Sequence, residues 1–258
     1  MRPVVLLCLP GLPAGTSPSG AIAAALSHHP DHPNQAGGAD PPRYSLRRPR
    51  HAARPGGQRW SFATGFLPTL AGADRGLLIS ARPDEAPGRW ACAGGPIAVL
   101  DRALAARRAA RAAEAVWRLF DAVVWATPPA RPWSSFAARH TADPRAVSID
   151  AARRAFAAQP RIQAMRDHDR RPDTITVFAR FTPDSYATAL DHLQPGREAF
   201  TARRVTRAVA GNRMVCPDGQ LLQPGSDTPD ALGAYRDAAD AVLSTLPART
   251  VVVAVHYH

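Results

Sequence analysis

The sequence predicts an α+β fold: a small mixed or antiparallel sheet with helices packed on one face, preceded by a poorly ordered Arg/Pro/Gly-rich amino-terminal region. Three observations lead to this prediction. An alanine- and arginine-rich stretch over residues 101–126 has the apolar period of a helix. Residues 174–181 alternate as a strand does. A helical pattern after Thr228 leads into the consecutive apolar residues 251–255.

Composition divides the chain of 258 residues into two regions. Residues 1–59 are rich in Pro, Gly, Ala, His and Arg and poor in large apolar side chains, so we expect a largely irregular arm. Large apolar residues return at Trp60, and residues 60–258 are predicted to form the α+β domain. The apolar run over residues 4–9 is short and is interrupted by Pro10, which favours a buried strand or a frayed terminus over a signal peptide. We therefore expect a cytoplasmic protein with no membrane association.

Capping residues mark the helices. Asp101 is a suitable N-cap for the helix over residues 101–126, which ends at the prolines that follow it. Ser148 is expected to cap a second helix over residues 149–158, after which Pro160 restarts or kinks the chain.

Short turn and helix-cap sequences predict the helices and strands of the carboxy-terminal half. Thr-Pro-Asp sequences at 182–184 and 228–230 each combine a cap with proline at the first helical position. Residues 214–222 contain the turn-forming triplet 217–219 between two apolar runs, which predicts a β-hairpin. The consecutive apolar residues 251–255 are typical of a strand that is covered on both faces or lies centrally in its sheet.

The charge is carried by one residue type. All 32 basic residues are arginine, and the formal net charge is +11. GC-rich coding accounts for abundant arginine in any protein, so a solvated basic surface is one interpretation. Guanidinium groups also pair with phosphate in a bidentate fork, so nucleic-acid binding is the other. The candidate nucleic-acid contacts lie in the arm: Arg43, Arg47, Arg48, Arg50, Arg54 and Arg59.

Candidate metal ligands lie at the carboxy terminus. His256 and His258 alternate on the last strand and therefore point to the same face, where two imidazoles could share a metal. Two ligands do not complete a site, so Asp218, Asp237 or His192 would have to lie close by, and a frayed terminus is the alternative.

Other chemical signals are weak. Residues 167–171 combine carboxylates, an imidazole and guanidiniums, which suits acid–base catalysis or a solvated loop. The chain has no Gly-Lys-Ser/Thr phosphate loop, no Gly-x-Ser-x-Gly elbow and no His-Glu-x-x-His helix. Cys8, Cys92 and Cys216 form no C-x-x-C pair and are predicted to be reduced, with Cys92 and Cys216 small buried residues rather than nucleophiles. The five tryptophans are interpreted as packing residues, with base stacking as the alternative.

Several short motifs occur in one order between residues 88 and 258. They are Gly94-Gly95-Pro96, the helix after Asp101, Thr127-Pro128 with Pro132-Trp133, residues 159–165, residues 217–220 with Pro224-Gly225, and Leu246-Pro247 before the last strand. In these the chain resembles an uncharacterised protein family of high-GC actinobacteria and their phages, whose function is unknown. Two departures matter. The family has a Met-Gly-Trp motif after its Pro-Gly and closes on an Asp-Cys-His ending, whereas this chain has Ser226-Asp227-Thr228 and ends in His256-Tyr257-His258.

Two functions from different classes follow. The first is a non-enzymatic accessory protein whose arginine-rich surface binds nucleic acid or an acidic protein, with no cofactor. The alternative is a small metal-dependent hydrolase with a divalent metal near His256, His258 and the predicted hairpin.

Overall fold

The larger sheet takes strands from both ends of the chain. This computed structural model describes residues 3–10, 18–27, 60–181, 185–226 and 228–257. The chain forms two units. Among the described residues, 112–181 and 185–201 form the helical unit, and all the others form the sheet unit.

The elements of the described residues follow in chain order. The strands are β1 Val4–Leu9, β2 Trp60–Phe62, β3 Leu67–Pro68, β4 Arg82–Pro83, β5 Trp90–Cys92, β6 Gly94–Pro96, β7 Arg213–Val215, β8 Leu221–Leu222 and β9 Val251–Tyr257. The helices are α1 Pro18–Ser27, α2 Arg102–Val123, α3 Trp133–Ala142, α4 Ile149–Ala157, α5 Pro160–Arg170, α6 Ser185–Leu193, α7 Arg197–Ala210 and α8 Pro229–Thr245. The predicted α+β class is therefore confirmed.

The larger sheet is mixed. Its strand order is β2-β9-β1-β7-β8, and β6 also pairs with β9. β9 runs antiparallel to β1 over six residue pairs, from Val4 opposite His256 to Leu9 opposite Val251. β1 runs parallel to β7. The prediction that residues 251–255 form a strand is confirmed, and the strand has neighbours on both sides.

The parallel pairing of β1 with β7 begins at a tight turn. The Val4 amide donates to Oδ1 of Asn212 at 2.8 Å, and the Asn212 amide donates to the Val4 carbonyl at 2.7 Å. Gly211, just before it, has a φ of +73°, and a Cβ there would lie 2.9 Å from the Val4 carbonyl oxygen. Only glycine therefore fits between α7 and β7.

Both faces of the sheet are covered by helices. Val4, Leu6 and Cys8 pack with Tyr235, Ala239 and Leu243 of α8 on one face. On the other face, Val5, Leu7 and Leu9 pack with Ile22 and Leu26 of α1. The sequence predicts helices on one face only. The second helix is needed because β1 and β9 are apolar at consecutive positions, so both faces must be removed from water.

The amino-terminal region contributes to the fold. The sequence predicts a largely irregular arm over residues 1–59, but β1 lies in the middle of the sheet and all six of its residues are buried. α1 belongs to the same unit. The sequence leaves a buried strand or a frayed terminus open for residues 4–9, and the structure shows the buried strand. The remainder of the predicted arm lies outside the described residues.

A smaller sheet, of order β3-β5-β4, completes the sheet unit. Arg89 ties it to the start of α2, because its guanidinium lies 2.7 Å from the Asp101 carboxylate and also donates to the Thr69 carbonyl. Asp101 accepts the Leu104 amide at 2.8 Å, which confirms it as the predicted N-cap of α2. Arg108 on the same helix pairs with the buried carboxylate of Asp84.

The helical unit has its own apolar core, which includes the fully buried Phe178 and Phe200. The predicted helix after Ser148 is confirmed, since the Ser148 hydroxyl accepts the Ala151 amide, and Pro160 begins the next helix. α3 and α7 are not predicted. α3 has no side-chain cap and few apolar positions, so its sequence lacks the usual signals of a helix start.

The predicted strand over residues 174–181 is wrong. The segment is irregular and ends in a short 3-10 turn, Phe178–Arg180. The amides of Val177, Phe178 and Ala179 donate to the Asp169 carboxylate, so they do not pair with a neighbouring strand. Alternation also fails, because Ile175 is 73% exposed while Phe178 is fully buried.

The remaining carboxy-terminal predictions are confirmed where the structure describes them. β7 and β8 form the expected antiparallel hairpin, with Gly219 at a φ of +84° in its turn. Thr228 caps α8 through the Ala231 amide, with proline at the first helical position. The cap predicted at residues 182–184 lies outside the described residues.

Shortening a β1 side chain is expected to destabilise the sheet unit. Leu6 is 1% exposed, so Leu6→Ala leaves a cavity and should lower the free energy of unfolding by about 2–5 kcal/mol. Leu77→Ala is the control, because Leu77 is 53% exposed and should change stability by less than about 0.5 kcal/mol. Urea denaturation followed by circular dichroism measures both. Equal stability of the two variants would contradict the central position of β1.

Candidate functional site

A group of arginines lies on the carboxy-terminal half of α7 and the strand after it. Arg203, Arg204 and Arg207 fall within five residues of the helix, and Arg213 begins β7. At 100° per residue, the three helical arginines share one flank of α7. We call these four residues the α7 arginine cluster. Sequence reasoning missed the cluster, although the spacing of three arginines in five residues is its visible signal.

Two hydrogen bonds join α7 to α8. The Tyr235 hydroxyl donates to the Ala210 carbonyl at 2.7 Å, and the buried Thr206 hydroxyl donates to the Leu232 carbonyl at 3.5 Å. Val209 and Ala210 of α7 are buried. The helix therefore presents its arginines from a fixed position.

Burial weakens the charged form of two of these arginines. Arg204 and Arg207 are both half-buried. Burial lowers the pKa of Arg204. Burial and then the neighbouring charge of Arg204 lower the pKa of Arg207 to about 10. Both groups stay charged at neutral pH, and each also interacts with other parts of the chain. The cluster therefore concentrates positive charge at reduced hydration.

The three cysteines are free and buried, as predicted for Cys92 and Cys216. Burial raises the pKa of Cys8 to about 12, with the nearby Cys216 adding to the effect. Burial also raises the pKa of Cys92 to about 11 and the pKa of Cys216. Thiolate is the nucleophilic form, so these residues do not act as nucleophiles at neutral pH.

Asp169 in the helical unit is a buried carboxylate with several donors. Its side chain is 2% exposed. It accepts the amides of Val177, Phe178 and Ala179 at 2.9, 3.3 and 2.6 Å, and it lies 3.2 Å from Nδ1 of His168. These bonds occupy both carboxylate oxygens. Asp169 therefore holds a segment of backbone and is not arranged as a catalytic base.

The side chains around Asp169 also have structural roles. Burial and then the Asp169 charge raise the pKa of Tyr186, whose ring lies under the Arg166 guanidinium at 5.4 Å. His168 packs against Phe178 and is buried. The sequence alternatives for residues 167–171 were a catalytic set or a solvated loop. The segment is instead the last turn of α5 and its boundary, with His168 and the Asp169 side chain in the interior.

The structure does not bring the predicted metal ligands together within the part of the chain that it describes. His256 is half-buried, with Nδ1 3.3 Å from the Pro3 carbonyl oxygen, and His258 lies outside the described residues. Asp218 accepts the Gln220 amide in the hairpin turn, and Asp237 pairs with Arg236. No group of three or more His, Cys, Asp or Glu side chains suited to a metal occurs among residues 3–10, 18–27, 60–181, 185–226 and 228–257. The six arm arginines predicted to contact nucleic acid, Arg43, Arg47, Arg48, Arg50, Arg54 and Arg59, also lie outside the described ranges.

The tryptophans behave as predicted with one exception. Four are buried or half-buried, as expected of packing residues: Trp60, Trp90, Trp117 and Trp133. Trp125 is 80% exposed, so the packing prediction is wrong there. α2 ends at Val123 and Ala126 has a φ of +62°, so Trp125 lies beyond the end of the helix that the sequence predicts over residues 101–126.

A polar network fixes the turn that carries Trp125. The Arg161 guanidinium donates to the carbonyl of Thr127 at 2.9 Å and to the amide oxygen of Gln194 at 2.9 Å. Gln194 in turn bonds both the amide and the carbonyl of Ala130, each at 2.8 Å. Burial lowers the pKa of Arg161. These contacts make Arg161 a structural residue of the helical unit.

Comparison of the chain with protein-family models, with curated proteins and with solved structures finds no match. The resemblance to the actinobacterial and phage family therefore stays a prediction. In the described ranges, none of the helices combines the length and apolar character needed to cross a membrane.

Alkaline pH is expected to destabilise the sheet unit through its thiols. An unfolded thiol ionises near pH 9, whereas Cys8 and Cys92 in the folded protein keep their protons until about pH 12 and 11. The folded state therefore binds more protons above pH 9, and stability should fall as pH rises, by up to about 1.4 kcal/mol per pH unit for each thiol. Urea denaturation between pH 8 and 10 measures the slope, and Cys8→Ala should reduce it while Leu77→Ala leaves it unchanged. Rapid labelling of native Cys8 by a disulfide reagent at pH 8 would contradict its burial.

Removing the charge of Asp169 is expected to destabilise the helical unit. Asp169→Asn replaces one acceptor oxygen by a donor, so a buried backbone amide loses its partner, at a cost of about 1–3 kcal/mol. Asp167→Asn is the matched control, because Asp167 is exposed and only 3.6 Å from Arg170 in a surface ion pair. Hydrogen exchange should become faster at Val177 and Ala179 in the first variant alone. Unchanged exchange at those amides would show that Asp169 does not hold the segment.

Proposed function

We propose that the protein is a non-enzymatic, cytoplasmic accessory protein that binds nucleic acid or another acidic partner through its arginine-rich surface. The observation that supports this proposal is the α7 arginine cluster. It places three arginines within five residues of α7 and a fourth at the start of β7, and such a concentration of positive charge attracts an anionic partner.

The overall charge supports the same proposal. A net charge of +11 attracts polyanions over distances of about 10 Å at moderate salt. Arginine presents five donors in a rigid fork, which suits the paired oxygens of phosphate and carboxylate groups. Attraction by the whole surface and docking at the cluster are therefore compatible steps of one association.

Several other arginines of the described residues have an acidic or structural partner. Arg89 pairs with Asp101 and Arg108 with Asp84, while Arg161 belongs to the network around Thr127. These guanidiniums hold the fold.

Substituting the cluster is expected to weaken binding and its salt dependence. Labelled duplex DNA, single-stranded DNA and RNA are titrated with the full chain across a salt series, with polyglutamate as the acidic polypeptide. Arg204→Gln combined with Arg207→Gln should lower the slope of log K against log salt by about 1–2, since each lost phosphate contact removes roughly one released counterion.

The matched control is Arg153→Gln combined with Arg154→Gln. These arginines are exposed on α4, and their substitution changes net charge by the same amount. An equal effect of both double variants would mean that only overall charge matters. If no nucleic acid and no polyglutamate bind at low salt, the proposed function is wrong.

A further inference from the structure

Two of the three free cysteines lie opposite each other in the larger sheet. β1 runs parallel to β7, and the last residue pair of this ladder is Leu7 opposite Val215. The next pair in the same register is Cys8 and Cys216. Both pack in one apolar cluster with Tyr235 of α8, so their side chains point to the same face of the sheet. The pKa of Cys8 is raised in part by Cys216, which agrees with this proximity.

The distance between neighbouring strands suits a bond between the two sulfur atoms. Hydrogen-bonded strands lie about 4.8 Å apart, and the Cα atoms of residues joined by a disulfide lie roughly 4.4–6.8 Å apart. The Cβ atoms of a disulfide are about 3.5–4.5 Å apart, so Cys216 has to approach Cys8 by less than about 1 Å. Cys216 follows the end of β7 and is itself followed by exposed residues, so the backbone there can make this small movement.

We propose that Cys8 and Cys216 form a site of reversible oxidation, at which a small disulfide such as oxidised glutathione converts the two thiols into an intramolecular disulfide. The site goes beyond the proposed function and does not depend on it. The start of β7 is already joined to β1 by the two hydrogen bonds between Val4 and Asn212. The disulfide joins the other end of β7 to β1, so oxidation fastens the strand at both ends.

The hairpin of β7 and β8 gives the oxidant access to the thiols. In the closed sheet both thiols are buried, and burial raises their pKa values, so they stay protonated. Residues 217–220 of the turn are exposed and β8 has only two residues, so opening this hairpin costs less free energy than unfolding the sheet unit. Cys216, which adjoins the turn, therefore reacts first, and the oxidation is slow because it waits for the opening.

The exchange proceeds in two steps. The Cys216 thiol gives its proton to solvent, and the thiolate attacks one sulfur of oxidised glutathione, which forms a mixed disulfide and releases one glutathione thiolate. The Cys8 thiol likewise loses its proton, attacks the Cys216 sulfur and releases the second glutathione thiolate. The two released thiolates take up the two protons. Two protein thiols are thus oxidised to a disulfide, and one small disulfide is reduced to two thiols.

Cys92 is an internal control for this chemistry. It is also free and fully buried, but it lies on β5 of the smaller sheet, where its thiol donates to the Leu67 carbonyl at 3.4 Å. An unfolded chain can join its cysteines in any combination, including those with Cys92. The folded chain should form the bond between Cys8 and Cys216 alone, because only these two lie at neighbouring positions of one sheet.

The test oxidises the full chain without denaturant. The protein is incubated at neutral pH in glutathione buffers of increasing oxidised fraction, and the remaining free thiols are then blocked with iodoacetamide. Intact mass spectrometry should show the loss of two hydrogen atoms and one blocked thiol. Peptide mapping should find a cross-link between Cys8 and Cys216 that reduction removes. The oxidised protein should also unfold at a higher urea concentration than the reduced protein, because the cross-link constrains the unfolded chain.

Variants separate the two steps. Cys92→Ala should form the same cross-link at the same rate as the unsubstituted chain. Cys8→Ala should instead retain one glutathione on Cys216, because the thiol that completes the exchange is missing. If Cys8→Ala does not fold, the peptide map of the unsubstituted chain decides the question without it.

Each outcome decides for or against the site. A cross-link between Cys8 and Cys216 alone, which reverses in reduced glutathione, supports it. Cross-links that include Cys92 overturn it, because they show that the chain reacts after unfolding. Glutathione that stays on Cys216 of the unsubstituted chain overturns it as well, since Cys8 is then too far away. No reaction in the most oxidising buffer also overturns it.

Discussion

The sheet unit depends on removing both faces of the β1–β9 pair from water. The two strands are paired over six residues, and their apolar side chains point alternately to α8 and to α1. Each helix covers one face, so neither can be lost without exposing a row of valine and leucine side chains. The turn at Gly211 and Asn212 then sets where β7 joins this pair, because their contacts with Val4 allow one register.

The helical unit depends on a polar group in its interior. Asp169 accepts three consecutive backbone amides, and this decides the path of a segment whose residue types favour a strand. The carboxylate oxygens give these buried amides their acceptors, so the amides need no further partner. Arg161 has a similar structural role at the turn after α2, where its guanidinium donates a hydrogen bond to the Thr127 carbonyl. Asp169 belongs to a segment whose residue types suit acid–base catalysis, whereas its contacts, like those of Arg161, are structural.

Burial acts in opposite directions on the pKa values of thiols and guanidiniums, and the functional interpretation depends on that difference. It raises the pKa of Cys8 and Cys92, which then remain neutral and unreactive at physiological pH. It lowers the pKa of Arg204 and Arg207, but from so high a value that both remain charged. The buried thiols are thus part of the apolar core. The half-buried guanidiniums retain their positive charge.

The sequence by itself determined the elements whose signals are local. Caps at Asp101, Ser148 and Thr228 fix helix starts through bonds within a few residues, and the apolar residues of β9 require a covered strand wherever they lie. Tertiary structure decided what depends on distant partners. Residues 174–181 do not form the predicted strand, because the Asp169 carboxylate binds their amides. Trp125 is exposed because α2 ends before it. Residues 4–9 form a central strand because they pair with β9 at the far end of the chain. The α7 arginine cluster belongs to both groups. The spacing of its arginines is visible in the sequence, whereas their half-burial and the hydrogen bonds that join α7 to α8 arise only in the folded chain.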